Sequence, residues 1–294
     1  MTRSGFVALA GRPNVGKSTF VNAAVGEKVA IVSDRPQTTR RAIRGVHEAG
    51  GCQVVLVDLP GVQRPRDMLT ERMAARVRQE LEGADAALLM LNAEQGVGPG
   101  DRFIAQTLIA SGDVPLVTAV NKIDRAPRGK MPEILNQAAE LHPEGELFPV
   151  SARTGAGVGE LLAHLRELMP AGPFMFETGT TSDQPREVLL AELIREAVIK
   201  RTFQEVPHAV EVAIEEVERP RLGLARIRAL VWVETASQKG ILIGAGGRMI
   251  KAIGTAARKE LERELGERVH LELSVRVRRD WRGDEALLDR LGIT

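Results

Sequence analysis

Eight residues near the start of the chain, Gly11-Arg12-Pro13-Asn14-Val15-Gly16-Lys17-Ser18, fill the pattern G-x-x-x-x-G-K-S at every defined position. An apolar run precedes them and a helical pattern follows, the context in which such a loop cradles phosphate with backbone amides at a helix N-terminus. Lys17 is placed to hold the outer phosphates and the Ser18 hydroxyl to ligate magnesium. A second chemical signal is Asn121-Lys122-Ile123-Asp124. The Asp124 carboxylate can accept two hydrogen bonds from guanine N1 and N2, a donor pair that adenine lacks, so the base pocket selects GTP over ATP. Lys122 can cover the base, and Asn121 can tie this turn to the phosphate loop. Ser151-Ala152 offers a backbone contact to the guanine carbonyl.

Asp58-Leu59-Pro60-Gly61 completes the nucleotide set: Asp58 for the magnesium shell, and the Gly61 amide for the γ-phosphate whose loss frees the segment beyond. Between these motifs lies Ser33 to Arg41, "SDRPQTTRR", a polar stretch read as no rigid part of a core. Thr38 or Thr39 can ligate magnesium while the γ-phosphate is present, and the sequence does not choose between them. The nucleotide contacts are expected from Gly11, Asn14, Val15, Gly16, Lys17, Ser18, Thr19, Asp58, Leu59, Pro60, Gly61, Val62, Asn121, Lys122, Asp124, Ser151 and Ala152. Lys17, Thr38, Thr39, Asp58 and Gly61 carry catalysis. Val62 occupies the slot where many nucleotide hydrolases place a water-orienting glutamine, and Gln63 comes one residue late, its side chain aimed elsewhere. That opens two readings, a slow hydrolase or a non-enzymatic module that holds GTP as a structural ligand; the amount of magnesium and phosphate apparatus favours the first.

These loops need a scaffold. Apolar runs at Phe6 to Ala10, Val54 to Val57, Ala86 to Leu91, Leu116 to Val120 and Leu147 to Val150 alternate with polar segments of helical length. Such alternation predicts an α/β fold with a mostly parallel sheet, whose loops gather at the carboxyl ends of the strands. Ala42 to Glu48 and Gln53 to Val57 flank Ala49-Gly50-Gly51, predicting one antiparallel hairpin. A helix from Glu160 to Met169 stops at Pro170. Residues 171–185, "AGPFMFETGTTSDQP", lose periodicity and read as a linker in which Phe174, Met175 and Phe176 pack on a neighbouring domain. Residues 1–170 thus form one domain and 186–294 a second, an α+β unit with a helix from 186 to 202, strands near 209–217, 225–234 and 269–277, and a helix pair from 237 to 265.

In that second unit Gly244-Ala245-Gly246-Gly247 joins two helices through G-x-x-G, a loop that clamps single-stranded nucleic acid. No acid occurs from Thr235 to Lys259, yet Lys239, Arg248, Lys251, Arg258 and Lys259 do. The chain as a whole carries 40 basic and 39 acidic residues, net +1, so any polyanion surface must be local. Arg276, Arg278 and Arg279 extend that basic surface or form the solvated face of a sheet. There is no tyrosine, and phenylalanine and tryptophan are few, so base recognition cannot rest mainly on stacking; Trp232 and Trp281 read as packing residues. The one cysteine, Cys52, cannot pair within the chain, and no apolar run approaches the ~18 residues of a membrane span.

Gly11 to Ser18, Gln37 to Arg41, Asp58 to Gly61, Asn121 to Asp124, Val150-Ser151-Ala152, "ILIGAGGRMIKAIGTAARKELE" and "VHLELSVRV" together resemble the Era family of bacterial GTPases over essentially the whole chain. The resemblance implies a Ras-like P-loop GTPase domain joined to a C-terminal type II KH domain, with GTP or GDP and Mg2+ bound. It also implies binding to the 3′ end region of 16S ribosomal RNA, assistance to assembly of the small ribosomal subunit, and a cytoplasmic monomer with peripheral membrane association. RNA contact is carried over to Ile243, Gly244, Ala245, Gly246, Gly247, Arg248 and Lys251. In families with a hydrophobic residue at the Val62 slot, Asn14 can help hold a potassium ion. The match is loose around Thr178 to Ser182.

Overall fold

The computed structural model describes residues 1–33, 35, 38–61, 67–111, 114–291 and 293. Its first unit is a six-stranded sheet in the order β2-β3-β1-β4-β5-β6, made of β1 (Arg3–Ala10), β2 (Ile43–Ala49), β3 (Cys52–Asp58), β4 (Ala86–Asn92), β5 (Leu116–Asn121) and β6 (Leu147–Pro149). The β1, β3, β4, β5 and β6 pairings are parallel, and β2 alone runs antiparallel to β3. β3 and β4 are buried along their full lengths, as unbroken apolar runs covered on both faces must be. Helices α1 (Lys17–Val25), α2 (Met68–Glu82), α3 (Pro99–Ser111), α4 (Met131–Ala139) and α5 (Val158–Leu168) cover those faces. The expected parallel sheet and its single hairpin are both present.

Every nucleotide motif leaves the same edge. β1 runs into the phosphate loop, β3 ends at Asp58, and β5 ends at Asn121. Parallel register forces this: Leu9 pairs with Asp58, and Asn92 with Asn121.

Residues 171–185 do not dangle. Ala171 bridges Arg3, the Ser4 hydroxyl donates to the Pro173 carbonyl, and Gln53 exchanges hydrogen bonds with the Met175 and Phe176 backbone. Thr181 and Ser182 then bond the β2 backbone. The segment is strapped along the first sheet by polar contacts to its backbone, with Met175 itself exposed.

The second unit holds a three-stranded sheet, β7 (Glu211–Arg221), β8 (Leu224–Val233) and β9 (Arg268–Val277), in that order. β8 and β9 are parallel, and the helices α8 (Ala236–Ile243) and α9 (Arg248–Leu265) cross between them. α6 (Arg186–Ile199) and the single turn α7 (Val206–Ala209) precede β7, and α10 (Glu285–Arg290) follows β9. α9 buries Ile253, Ala257 and Leu261, one stripe at i, i+4 and i+8. α6 differs: every residue from Leu190 to Ile199 is buried, including Glu192, Arg195 and Glu196. A helix with that much charge can be covered all round only where its charges meet partners, and they do, on the other unit.

Near the C-terminus, Trp281 is fully buried in a cluster with Leu69 and Met73 of α2 and with Leu287, Leu288, Leu291 and Ile293. Its indole N–H donates to the Ala209 carbonyl at 2.9 Å, which anchors the end of the chain to both units. Trp281→Ala should cost about 3–5 kcal/mol through the cavity it leaves. Trp281→Phe, which keeps bulk but strands the Ala209 acceptor, should cost about 1 kcal/mol. Urea unfolding followed by far-UV circular dichroism measures both.

Candidate functional site

The phosphate loop is held open by backbone shape and by its neighbours. Gly16 has φ 102°, and a Cβ there would come within 2.2 Å of the Asn121 amide nitrogen, so the position accepts only glycine. Asn121 is the clamp between loops: its Nδ2 donates to the Val15 carbonyl at 2.8 Å, and its Oδ1 accepts from the Ala152 amide at 2.9 Å. Asn14 and Lys122 both take the left-handed conformation, at φ 63°. An anchor that sequence reasoning missed is Arg12, whose guanidinium bonds the buried Asp101 at 2.8 Å. Nothing in the local pattern links those two positions, 89 residues apart.

Lys17 is buried, its ammonium donating to the Gly11 and Arg12 carbonyls at 3.2 and 3.3 Å. Burial pulls its pKa down, and the Asp58 charge opposes this. Asp58 is also buried, its pKa pushed up by desolvation against the pull of Lys17, Ser18 and Thr39. Ser18 Oγ donates to Asp58 Oδ2 at 2.5 Å and lies 3.2 Å from Thr39 Oγ1, itself 3.4 Å from the same carboxylate oxygen. Asp58 Oδ1 is buried and has no hydrogen-bond partner among the described residues. Three converging oxygen side chains and an orphaned carboxylate oxygen are the donor set that a hard divalent cation requires. Magnesium fits here.

Thr38 points elsewhere. Its hydroxyl donates to the Arg35 carbonyl at 2.7 Å, and its own carbonyl accepts from Arg195 of α6. Gly61 lies against Pro13 of the phosphate loop. Leu59 is fully buried beneath it, and Pro60 is buried beside it. Val62, Gln63 and Gln37 lie outside the described residues.

At the base end, Asp124 accepts from Ser151 Oγ at 2.6 Å and from Arg153 at 2.6 Å. These contacts, Ser151 first, hold its carboxyl below the usual range, so it is charged at neutral pH. Phosphate loop, Ser18, Thr19, Thr38, Thr39, Gly61, Asn121, Lys122, Asp124 and Ala152 line one cleft.

The stretch from Ser33 to Arg41, read from its polarity as no rigid part of a core, places Thr38, Thr39 and Arg40 in buried positions. Arg40 crosses to the second unit, where it bonds Glu211 at 2.7 Å, the Val210 carbonyl at 2.6 Å and the His208 carbonyl at 2.8 Å. Arg41 bonds Glu192 at 2.6 Å and Glu211 at 3.2 Å, and Arg195 bonds Glu192 at 2.5 Å. Lys28 and the Val32 amide both reach Glu196. α2 is held from the same side: Arg72 bonds Asp289 at 2.6 Å, and Arg282 lies 3.3 Å from Asp67, which caps the helix. None of these long-range pairs has a sequence signal beyond the doubled arginine at 40 and 41.

The second candidate site is the turn between α8 and α9. Gly244, Gly246 and Gly247 all have positive φ, and a Cβ on Gly244 would meet Met249 at 2.7 Å. Ile243, Ala245, Arg248 and Lys251 are exposed around it, while Leu242 anchors the turn in the core. Of the three arginines expected on or after β9, Arg278 instead pairs with Asp284 and lies over the Trp232 ring at 5.7 Å.

The cleft and its edge position define the class, a P-loop GTPase carrying a second, nucleic-acid-binding fold. A family model for 50S ribosome-binding GTPases matches residues 6–122, and one for the KH domain matches residues 205–282. The chain is 46% identical to GTPase Era of Mycobacterium bovis (strain BCG / Pasteur 1173P2) over 98% of each chain, and 45% identical to that of Mycobacterium avium (strain 104) over 99% of this chain and 98% of the other. Among solved structures it superposes on Era in complex with MgGDPNP and nucleotides 1506–1542 of 16S ribosomal RNA, with a TM-score of 0.94, 35% identity and full coverage of both chains. A variant of Aquifex aeolicus Era bound to GDP and tetrafluoroaluminate matches with the same TM-score and identity, again over both full chains. The chain belongs to the Era family of GTPases. It is a GTPase, and the alternative of a static GTP-holding module falls with that.

Glu211 supplies a test of the contact between units. Burial alone would raise its pKa, but Arg41, Arg40 and Arg195 outweigh it and hold the carboxyl at about 2, below its ordinary 4.5. Burial and the like charge of Arg195 bring Arg40 down to about 10, still charged at neutral pH. A depressed carboxylate contributes stability that is complete above pH 4.5 and is lost as pH falls toward 2. Glu211→Gln should remove that pH dependence and cost about 3 kcal/mol at pH 7 by leaving buried guanidinium charge unpaired. Urea unfolding across pH 2 to 7 measures both effects.

Proposed function

We propose that this GTPase is a nucleotide-dependent RNA-binding switch, which binds the 3′ end region of 16S ribosomal RNA and assists assembly of the small ribosomal subunit. The observation that carries this reading is the interlock between the Thr38 to Arg41 segment and α6 and β7. Arg195 holds the carbonyl of Thr38, while the next residue, Thr39, faces Ser18 and Asp58. Any nucleotide that moves Thr39 therefore pulls on the RNA-binding unit. The RNA assignment rests on the Era structure that holds nucleotides 1506–1542 of 16S ribosomal RNA. The family model whose description names the 50S subunit covers only residues 6–122 and so does not reach the RNA-binding half.

Roles follow from geometry. Lys17 leaves the Gly11 and Arg12 carbonyls to hold the outer phosphates. Ser18, Thr39 and Asp58 would hold magnesium, which when bound neutralises charge on the phosphates; Thr39 is assigned over Thr38 on the support that its hydroxyl faces Ser18 and Asp58 while that of Thr38 is turned to Arg35. The Gly61 amide senses the γ-phosphate, with Leu59 and Pro60 setting its position. Guanine displaces the exposed Arg153 from Asp124, and the Ala152 amide meets the base carbonyl. Gly244 to Gly247, with Ile243, Arg248 and Lys251, contact RNA. The units divide at residues 1–170 and 186–294, with 171–185 between them.

Potassium at Asn14, peripheral attachment to the cytoplasmic membrane and a monomeric state rest on the family resemblance. Among the described residues no helix is long and apolar enough to cross a membrane. Potassium would place positive charge where other GTPases use an arginine finger, worth roughly 10³ to 10⁵ in rate. Replacing sodium by potassium should raise phosphate release several-fold in the native protein and leave Asn14→Ala unchanged; equal rates in both salts would remove the ion from the scheme.

Coupling is reciprocal at equilibrium and typically worth roughly 5- to 150-fold. The 16S fragment should tighten binding of a non-hydrolysable GTP analogue by the same factor by which the analogue tightens RNA. Arg195→Met should bring both factors close to one while each ligand still binds alone. Isothermal titration of each ligand with and without the other reads this. Unequal factors, or coupling undisturbed in the variant, would break the proposed link.

A further inference from the structure

Behind the G-x-x-G turn lies a pocket lined by Arg201, Arg248, Lys251, Thr255 and Lys259, with Ala252 and Ala256 among its walls. We infer that this pocket is a second phosphodiester-binding site, which grips RNA backbone outside the segment clamped by Gly244 to Gly247. The inference rests on the RNA-binding reading and deepens it. It adds Arg201, Thr255 and Lys259 to the contact surface.

Helix geometry separates the two sites. On α9 the core stripe is Ile253, Ala257 and Leu261, and Gly254 packs toward Leu273 of β9. Arg248, Lys251, Thr255 and Lys259 follow one another at spacings of three, four and four, forming a different stripe. The position of Gly254 puts that stripe on the flank away from β9, where the end of α6 delivers Arg201. Arg248, the first residue of α9 after Gly247, belongs to both sites, so a strand leaving the clamp meets the pocket directly.

Charge argues that the pocket expects a ligand. Several cations elsewhere on this unit have acidic partners, among them Arg219 with Glu267, Arg226 with Glu218, Arg258 with Glu262, and Arg263 with Glu260. Glu196 of α6 and Glu260 of α9 already have partners, Glu196 in Lys28 and Lys200 and Glu260 in Lys28 and Arg263. Among the described residues, Arg201, Arg248, Lys251 and Lys259 form no ion pair, and no acid lines the pocket. Four cations converging on one concavity repel each other until a polyanion fills it. Ala252, Thr255 and Ala256 are small enough for a sugar–phosphate backbone to approach, and the pocket presents no bulky apolar side chain for lipid tails.

Scale supports RNA as the occupant. A G-x-x-G loop clamps about four nucleotides, whereas the fragment bound in the related structure spans 1506 to 1542, or 1542 − 1506 + 1 = 37 nucleotides. Most of that backbone lies outside the clamp and needs its charge met somewhere.

The test compares the native protein with the double variant Arg201→Ala, Lys259→Ala in the full chain, using fluorescence anisotropy with two RNAs. One is the 1506–1542 fragment; the other is about four nucleotides from its 3′ end, filling the clamp and no more. The variant should bind the short RNA as the native protein does. It should bind the long RNA about tenfold more weakly, with the slope of log affinity against log salt reduced by about two, one per lost phosphate contact. Lys259→Arg should keep native affinity for both. Unchanged affinity and slope for the long RNA, with the short RNA still bound, would overturn the pocket and leave RNA binding standing. Failure of the native protein to bind either RNA would overturn both readings. Loss of sedimentation with phosphatidylglycerol vesicles in the variant, with long-RNA binding intact, would assign the pocket to a lipid surface and overturn the inference.

Discussion

Three guanidiniums and two carboxylates, those of Arg40, Arg41, Arg195, Glu192 and Glu211, meet in the interior between the two units, and the rest of the molecule is arranged around their burial. Desolvating such a group is costly and is repaid only when nearly every donor finds an acceptor. The Val210, His208 and Thr38 carbonyls supply several of those acceptors, so the backbone of β7's approach and of the magnesium-facing loop is fixed by the same charges. An apolar interface of the same size would hold the units together with less directional demand. The ionic one holds them in a single register, because a shift of one residue leaves guanidinium nitrogens without partners. Two do lack them even here, Arg40 Nε and Arg195 Nη1. Those two unpartnered nitrogens leave the network short of full satisfaction, so part of its desolvation cost is not offset.

The first sheet was legible in the sequence for a physical reason. Its central strands β3 and β4 are buried along their full lengths and written largely as apolar runs, and β1, β3 and β5 each end at a motif whose chemistry is local. The phosphate loop, the Asp58 turn and the Asn121 turn each need a few residues at fixed spacing, so each can be read without its neighbours. The G-x-x-G turn is local in the same sense, and positive φ at three of its glycines explains the composition. The burial of Thr38 to Arg40 could not be read from the polar loop between Ser33 and Arg41. Arginine is buried when its partners come from elsewhere in the chain, and those of Arg40 lie about 170 residues away. No periodicity records such a pairing. The same holds for Arg12 with Asp101, and for Trp281 with α2.

Thr38 and Thr39 show what a structure adds even at a motif. Adjacent residues of identical type cannot be ranked by pattern, but backbone geometry sends their side chains to opposite destinations. Thr39 Oγ1 joins Ser18 and Asp58, while Thr38 turns to Arg35 and offers its carbonyl to Arg195. One dipeptide therefore faces the metal-binding oxygens with one residue and the RNA-binding unit with the other. The proposed coupling would need no long relay, since consecutive residues share a peptide plane that moves as a rigid group.

Net charge of +1 conceals how unevenly the charges are spent. At the interface, cations are buried among carboxylates and carbonyls, fixing geometry and contributing little to the external field. On α9 they are exposed and, along one flank, unmatched, so the field there is large although the molecule is nearly neutral. The two uses require opposite surroundings. A buried guanidinium needs its partners within the fold, whereas a cation that attracts a polyanion must lack one. Lys28 crosses from the first unit to pair with Glu196 of α6 and Glu260 of α9, and so holds the units together beside the basic flank.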